Sequence, residues 1–421
     1  MTKTEIIDAA FKVWGRNLYR KTSLSQLAGE LGVSKPALYR HFSSKQALTT
    51  AMTERFFDDF AASIREDFNK ALQTNDSEEG LFTIIRSISV FFAKNAHALI
   101  FSLINIYDHN LDGRTIAESL KSRGADMSII QVVIENKYSR EPVSIRLIFA
   151  TLTFLMSYYH KKNNSMETPF SDEDINKITS IICQTIKHGL GFTAEKTELN
   201  FENLEKLVDE MQLTAQTEPF FKAVAEAVAQ AGPWDVSMEM VAKKLGLSKS
   251  SLYGHFKNRK DMLRRLFVTE FKRIIDFAKQ GIKLSPDTAQ QLYLGIYSIT
   301  VYLRSHPEIL IAMGWIRTRK LELGKPEKHV EIFRLFEDVD IEPMRNAADE
   351  DKQRISHLIL FLLINILTRS VPQHTDTSKN LSWLCDELCL SSGDIPSEKM
   401  QNNHIRLLYK FVTLGLGGLK R

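Results

Sequence analysis

Two stretches of this chain are variants of one stretch. Ser23–Leu48 (SLSQLAGELGVSKPALYRHFSSKQAL) and Ser237–Met262 (SMEMVAKKLGLSKSSLYGHFKNRKDM) align without a gap at an offset of 214 residues, and 10 of the 26 positions are identical. The shared positions of the first stretch are Ser23, Ala28, Leu31, Gly32, Ser34, Lys35, Leu38, Tyr39, His41 and Phe42. Fainter likeness follows in the same order. Lys94–Phe101 matches Arg304–Ile311, the apolar run opening at Arg146 matches that at Arg354, and HGLG at His188–Gly191 matches LGLG at Leu414–Gly417. The spacing drifts, with an apparent insertion around Val371–Met400. Solenoid repeats are only about 20–50 residues long, so a period this long describes a duplicated domain pair. A length of 421 residues accommodates it.

The repeated block has the grammar of short helices. Ile6, Ala9, Ala10, Val13 and Trp14 recur at helical spacing and predict a first amphipathic helix. A polar loop follows, Gly15–Thr22, in which Leu18 and Tyr19 stand. Ser23 with Gln26 three residues on is a capping-box signature opening a second helix. Gly32 ends that helix, as glycine does where φ must be positive. Ser34 caps the third, and Pro36 falls in its first turn, where backbone N–H groups lack partners in any case. Two short helices across a tight glycine turn, behind a support helix, make a helix-turn-helix. The second helix of such a motif lies in the DNA major groove.

Charge agrees with that use. The chain carries a net +4, yet residues 1–50 carry +5 and residues 217–266 carry +4, leaving −5 for the remainder. Cationic surface is concentrated on the two repeated blocks, where it would neutralise phosphate.

The string GVSKPALYRHFSSKQAL resembles the signature of the tetracycline-repressor (TetR) family of regulators. The turn glycine, the Leu-Tyr pair, the His-Phe pair and the lysine three residues beyond Phe all occur in order. GLSKSSLYGHFKNRKDML resembles it too, with Arg259 in the lysine's place. The resemblance implies that Lys35, Pro36, Ala37 and Arg40 face bases, while Tyr39, His41 and Lys45 hold phosphates. By the same matching Lys249, Ser250 and Ser251 face bases, and Tyr253, His255 and Arg259 hold the backbone. These residue types suit the work: lysine and arginine neutralise phosphate, tyrosine and histidine donate to it, and small groups admit a thymine methyl. Ala28, Leu31, Leu38 and Phe42 carry no such role and read as packing. Lys45 and Arg259 would open a fourth helix, capped by Ser44 and Asn258. In the second copy Gly232-Pro233-Trp234 makes a stiffer turn, and Gly254 stands where the first copy has Arg40. That second motif would read DNA less strongly, or serve as a scaffold.

The expected fold is all-α: two TetR-like repeats, each a three-helix DNA-binding domain followed by a helical ligand-binding and dimerisation domain. The expected boundaries are 1–50 and 51–192 for the first repeat, 193–216 for a linker, and 217–264 and 265–421 for the second. Leu204, Leu207, Val208 and Met211 give the linker a short apolar stripe that would dock on one repeat. Helices are expected over 82–108, 143–160 and 172–190, the last opened by Ser171 with Asp174, and over 289–320, 351–370 and 402–416. The family resemblance implies that the last two long helices of each half pair, giving an intramolecular pseudo-dimer with recognition helices about 34 Å apart. It also implies a ligand pocket, for which Phe91, Phe92, Phe101, Tyr107, Tyr158, Tyr159, Tyr297, Tyr302 and Trp315 are the aromatic candidates. Plain core is the competing reading of all nine. An apolar or aromatic effector would suit them.

Other classes find little footing. Three cysteines (Cys183, Cys385, Cys389) make no disulfide framework and fit a reducing cytoplasm at the nucleoid. Cys385 and Cys389, four apart, lack companions for a tetrahedral metal site and read as small apolar residues. No metal, cofactor or catalytic constellation is expected, so the chain reads as a DNA-binding regulator and not an enzyme. The weakly polar runs Leu147–Tyr159 and Ile355–Leu367 fall short of the roughly 20 residues that span a bilayer, and MTKTEIIDAA reads as helix rather than leader. The partners expected are duplex DNA, a small-molecule effector, and optionally a second chain. The alternative is an effector-independent DNA-organising factor, or an interaction scaffold with a degenerate second motif.

Overall fold

The computed structural model describes residues 2–16, 23–74, 76–108, 113–128, 130, 133, 137–138, 143–165, 168–190, 199–211, 218–318, 335–336, 348–368 and 397–420. Among these residues the chain is helical and contains no β-strand. Two compact units divide it, the first over Met1–Gln184 and the second over Thr185–Leu381 with Ser392–Lys420.

The first unit opens with α1 (Lys3–Arg16), α2 (Leu24–Glu30) and α3 (Lys35–His41). The long α4 (Lys45–Gln73) follows, its start fixed by Ser44, whose side chain accepts from the Ala47 N–H. Leu48, Met52, Phe56, Phe60, Ile64, Phe68 and Ala71 are buried along α4 at spacings of three and four, a single apolar stripe. Asp76 caps α5 (Ser77–Lys94), which packs along α4. Next come α6 (Ala96–Asp108), α7 (Gly113–Lys121), α8 (Val143–Lys162) and α9 (Asp172–His188), whose last four residues fall within the second unit. At the start of α9, Ser171 and Asp174 bond reciprocally, the Asp174 N–H to Ser171 Oγ at 3.1 Å and the Ser171 N–H to Asp174 Oδ2 at 3.2 Å.

The second unit repeats this plan behind an added helix, α10 (Phe201–Asp209). Its DNA-binding block is α11 (Pro219–Asp235), α12 (Met238–Leu245) and α13 (Lys249–His255), followed by α14 (Arg259–Ile282). The body comprises α15 (Thr288–Ser305), α16 (Pro307–Thr318), α17 (Asp349–Leu367) and α18 (Glu398–Leu414), closed by a 3-10 turn at Gly415–Leu419. The linker stripe does dock: Leu204 and Val208 are buried and α10 packs on α15.

Two expected helices are each broken in two. The helix over 82–108 starts at Ser77 and breaks at Asn95, whose side-chain amide donates to the Phe91 carbonyl at 2.9 Å, as does its own N–H at 3.0 Å. The helix over 289–320 breaks at His306, because Pro307 has no N–H to continue the ladder and opens a new helix instead. The Val371–Met400 insertion lies mostly outside the described residues, as do Cys385 and Cys389. No single described helix is long and apolar enough to cross a membrane.

Candidate nucleic-acid interface

The sequence dictates each corner of the first motif. Ser23 and Gln26 form the capping box at the start of α2, with the Ser23 N–H donating to Gln26 Oε1 at 2.7 Å and the Gln26 N–H to Ser23 Oγ at 3.1 Å. At the other end Gly32 sits at φ 63°, which lets the Val33 N–H reach the Ala28 carbonyl at 2.9 Å and the Gly32 N–H reach Gly29 at 3.1 Å. That is the Schellman termination. Ser34 then caps α3, accepting from the Ala37 N–H at 3.3 Å with Pro36 in the first turn. The fully buried Leu38 and the buried Phe42 hold α3 to its support.

With that face anchored, the other points outward. Lys35, Pro36, Tyr39 and Arg40 are exposed, while Ala37, His41 and Lys45 are half-buried. Tyr39 keeps 42% of its surface, unusual for so large a ring. The Lys35 ammonium lies 5.7 Å from that ring's centre, so a residue expected to face bases and one expected to hold phosphate share one surface. Lys45 begins α4 beside it, and burial lowers its ammonium below the ordinary lysine value. A partly desolvated cation at a helix N-terminus gains from an incoming phosphate oxygen.

The second motif reproduces the backbone. Gly246 sits at φ 65°, and the Leu247 N–H reaches Ala242 at 2.9 Å. Leu252 is fully buried and Phe256 buried, in register with Leu38 and Phe42. Lys249, Ser250, Ser251, Tyr253 and His255 are exposed and Arg259 is half-buried. All thirteen residues singled out in the sequence thus fall on the recognition helix or the following helix start of their own motif.

The side chains differ. Ser248 Oγ, the cap of α13, lies 2.8 Å from both Ser250 Oγ and Ser251 Oγ, a hydroxyl cluster with no equivalent in the first copy. Gly254 faces open space where a side chain would stand. The His255 ring packs 4.6 Å from that of Phe220 on α11, which ties it down. Sequence reasoning missed Asp261. It is buried at the start of α14, accepts from the Lys257 N–H at 3.2 Å, and pairs with Arg264 and Arg265 at 3.4 Å each. Ala47 occupies the equivalent place in the first copy. The signal was present, since Asn258 with Asp261 three residues on is a variant of the capping box.

The sequences of these two motifs match one family model. The family model described as "Bacterial regulatory proteins, tetR family" matches residues 6–52 and again residues 221–266. The chain carries the DNA-binding domain of the TetR family twice. Among curated relatives, the HTH-type transcriptional repressor ComR of Escherichia coli (strain K12) is 31% identical over 120 residues, 28% of this chain and 56% of ComR. The transcriptional activator FasR of Mycolicibacterium smegmatis is 36% identical over 62 residues, 15% of this chain and 28% of FasR. The repressor KstR2 of Rhodococcus jostii is 28% identical over 81 residues, 19% of this chain and 40% of KstR2. The chain thus spans about half the length of the first of these TetR relatives and less of the others. Among solved structures, the TetR regulator PfmR of Thermus thermophilus is 21% identical with a TM-score of 0.31, covering 42% of this chain and 97% of PfmR.

Beyond the TetR blocks, Phe91, Phe92 and Phe101 are buried among Phe56, Phe57 and Phe60, with ring centres 4.8 Å apart in the Phe60–Phe91 pair and 6.3 Å in the Phe56–Phe91 pair. Tyr158 and Tyr159 are half-buried and pack edge to face at 5.4 Å. Tyr297 and Tyr302 are buried, each with its hydroxyl bonded to a carboxylate. The side chains of Tyr107 and Trp315 lie outside the described residues. Among the described residues no group of three or more His, Cys, Asp or Glu is placed to hold a metal.

Proposed function

We propose that the chain is a transcriptional regulator that binds one asymmetric operator with both of its heads, closed as a pseudo-dimer within a single polypeptide. One observation carries the reading. The two motifs share a backbone down to the glycine turn, yet Pro36, Ala37 and Arg40 of one stand where Ser250, Ser251 and Gly254 stand in the other. Identical subunits favour palindromes, whereas unlike heads read unlike half-sites about 34 Å apart. Base discrimination falls mainly on the first head, which keeps the arginine.

Lys35, Pro36, Ala37 and Arg40, with Lys249, Ser250 and Ser251, face bases. Tyr39, His41, Lys45, Tyr253, His255 and Arg259 hold phosphates. A small apolar or aromatic effector bound in a helical body shifts the population towards a conformer whose heads are wrongly spaced, and DNA is released. ComR and KstR2 carry the name repressor and FasR that of activator, so repression in the cytoplasm, at the nucleoid, is the reading adopted. Exchanging the residues at 36, 37 and 40 with those at 250, 251 and 254 should invert the orientation in which the operator is bound, read by footprinting. An unchanged orientation would refute unequal readers.

A second reading draws on Asp261 and Gly254. With a buried carboxylate engaging Arg264 and Arg265, and no side chain at the arginine position, the second head acts chiefly as a phosphate clamp. Binding at two salt concentrations then shows a steep slope for both heads but base preference for one.

A further inference from the structure

The two copies carry their positive charge in different places. Residues 217–266 sum to +4, and residues 257–265 alone hold five cations against one acid, so the rest of that block is neutral. The cations are Lys257, Arg259, Lys260, Arg264 and Arg265, and the acid is Asp261. The matching residues of the first copy, 43–51, hold Lys45 alone, and the rest of that block's +5 lies in its earlier residues. In the second copy the excess charge therefore follows the recognition helix, in the turn into α14 and along the start of α14.

One face of the long helix changes sign between the copies. On α14, Arg264, Val268 and Lys272 are spaced by four and lie on one exposed face, with Arg265 beside Arg264. Thr50, Glu54, Asp58 and Ala51 occupy those positions on α4. There Arg123 donates to both carboxylates, to Asp58 Oδ1 from its Nε at 2.6 Å, so the acidic face is engaged within its own unit. On α14 the face is basic, and the side chains of Arg264 and Arg265 are 45% and 49% exposed.

Local chemistry aims these cations at the recognition surface. Side chains on a helix tilt towards its N-terminus. Asp261, in the first turn, takes Arg264 Nη2 and Arg265 Nε at 3.4 Å each. The Arg265 guanidinium also lies 5.7 Å from the centre of the Phe256 ring, at the C-cap of α13. Both guanidiniums are thus drawn back towards the end of α14 that adjoins the recognition helix, and Lys257 and Lys260 are exposed at that same end. From Arg259 to Arg265 the helix rises about 9 Å. A duplex carries one phosphate charge for about every 1.7 Å of its length, so the group can reach past the single phosphate proposed for Arg259.

We infer that the second head grips the duplex backbone sideways through Lys257, Lys260, Arg264 and Arg265, on phosphates flanking its half-site, a hold that the first head lacks. The inference rests on the DNA-binding reading proposed above, and it gives the second head an affinity that owes nothing to base reading. Lys257 stands two residues after His255 of the recognition helix, and that continuity favours DNA over an acidic protein as the occupant of the face.

The affinity of the full chain for a random-sequence duplex is titrated against salt, and hydroxyl-radical footprints are taken on the operator that the chain selects. Two double variants are compared with the native chain, with circular dichroism confirming the helical content of each. Lys257→Gln with Lys260→Gln leaves Asp261 and its partners alone, whereas Arg264→Gln with Arg265→Gln removes those partners. Each pair should lower the salt slope by about two and shorten the footprint at the end held by the second head. Lys161→Gln with Lys177→Gln, which takes equal charge from exposed sites on the helical body, should leave both unchanged. Either head pair folded and with native slope and footprint, or a body pair that lowers the slope equally, would overturn the inference. A slope lowered as expected with a palindromic selected site would count against the asymmetric operator alone. A native chain without salt-dependent affinity for any duplex would refute the DNA-binding reading itself.

Discussion

Arg406 grips Glu205 with two parallel donors, Nε at 2.7 Å and Nη2 at 2.8 Å, across 201 residues of sequence. The carboxylate is 7% exposed and the guanidinium 24%, so little water competes for either. The pair draws Arg406 above its ordinary value, chiefly through that hydrogen bond, and burial with the same carboxylate holds Tyr293 protonated. Removing one partner strands the other, and Glu205→Ala should destabilise the second unit by about 3 kcal/mol. Calorimetry of the full chain checks this: the transition of the second unit should fall and that of the first should not. Movement of both, or neither, contradicts the assignment.

Acid should act first on the other unit. His160 is buried, with one ring nitrogen on the Phe92 carbonyl at 2.8 Å and the other on Ser165. Burial lowers its pKa below the ordinary histidine value, against the opposing effect of the Phe92 bond and with a smaller push from His97. The unfolded chain then binds the proton more readily than the folded one. The stability due to this group is complete above about pH 6.5 and falls as pH drops from there towards the folded-state value. Melting temperature followed from neutral pH downward should show that decline in the first unit, and His160→Gln should flatten it.

Gly254 costs the recognition helix of the second head its propensity without any steric reason, since a side chain there meets nothing within 4 Å. Gly254→Ala should stabilise the block by about 1 kcal/mol. Gly254→Arg should do nearly as well and also add base preference to the second half-site, seen as a new sequence bias in a footprint. Stabilisation without that bias would leave the second head a phosphate clamp.

Lys45 and Tyr39 separate charge from hydrogen bonding. Lys45→Ala should weaken binding to all duplexes alike and reduce the salt slope by about one. Tyr39→Phe keeps the exposed ring and its lysine contact, removes the hydroxyl proposed to donate to phosphate, and should cost about 1 kcal/mol of affinity with the slope unchanged. Titrations at two ionic strengths distinguish the two.

Local grammar was the readable part of this chain. Ser23 with Gln26, Ser34, Ser44, Asn258, Gly32 and Ser171 with Asp174 announce their roles within four residues, and the structure places each as the sequence predicts. The break at Pro307 was legible in principle, as a proline inside an apolar pattern, although the expected helix over 289–320 ran through it. The break at Asn95 was not, because it depends on an asparagine amide competing for the Phe91 carbonyl in a stretch with neither proline nor glycine. Glu205 and Glu270 were illegible for a different reason. Glutamates among lysines read as solvated helix surface, and their partners lie 88, 201 and 32 residues away, at Tyr293, Arg406 and Tyr302. Only tertiary packing makes them buried.

The most direct test of the two-headed account is selection of bound duplexes from a random library by the full chain, with the mass of the complex measured alongside. The account predicts one non-palindromic site held by a single chain, its more specific half owed to Arg40. A palindrome held by two chains would contradict it, because the first heads would then be pairing between molecules.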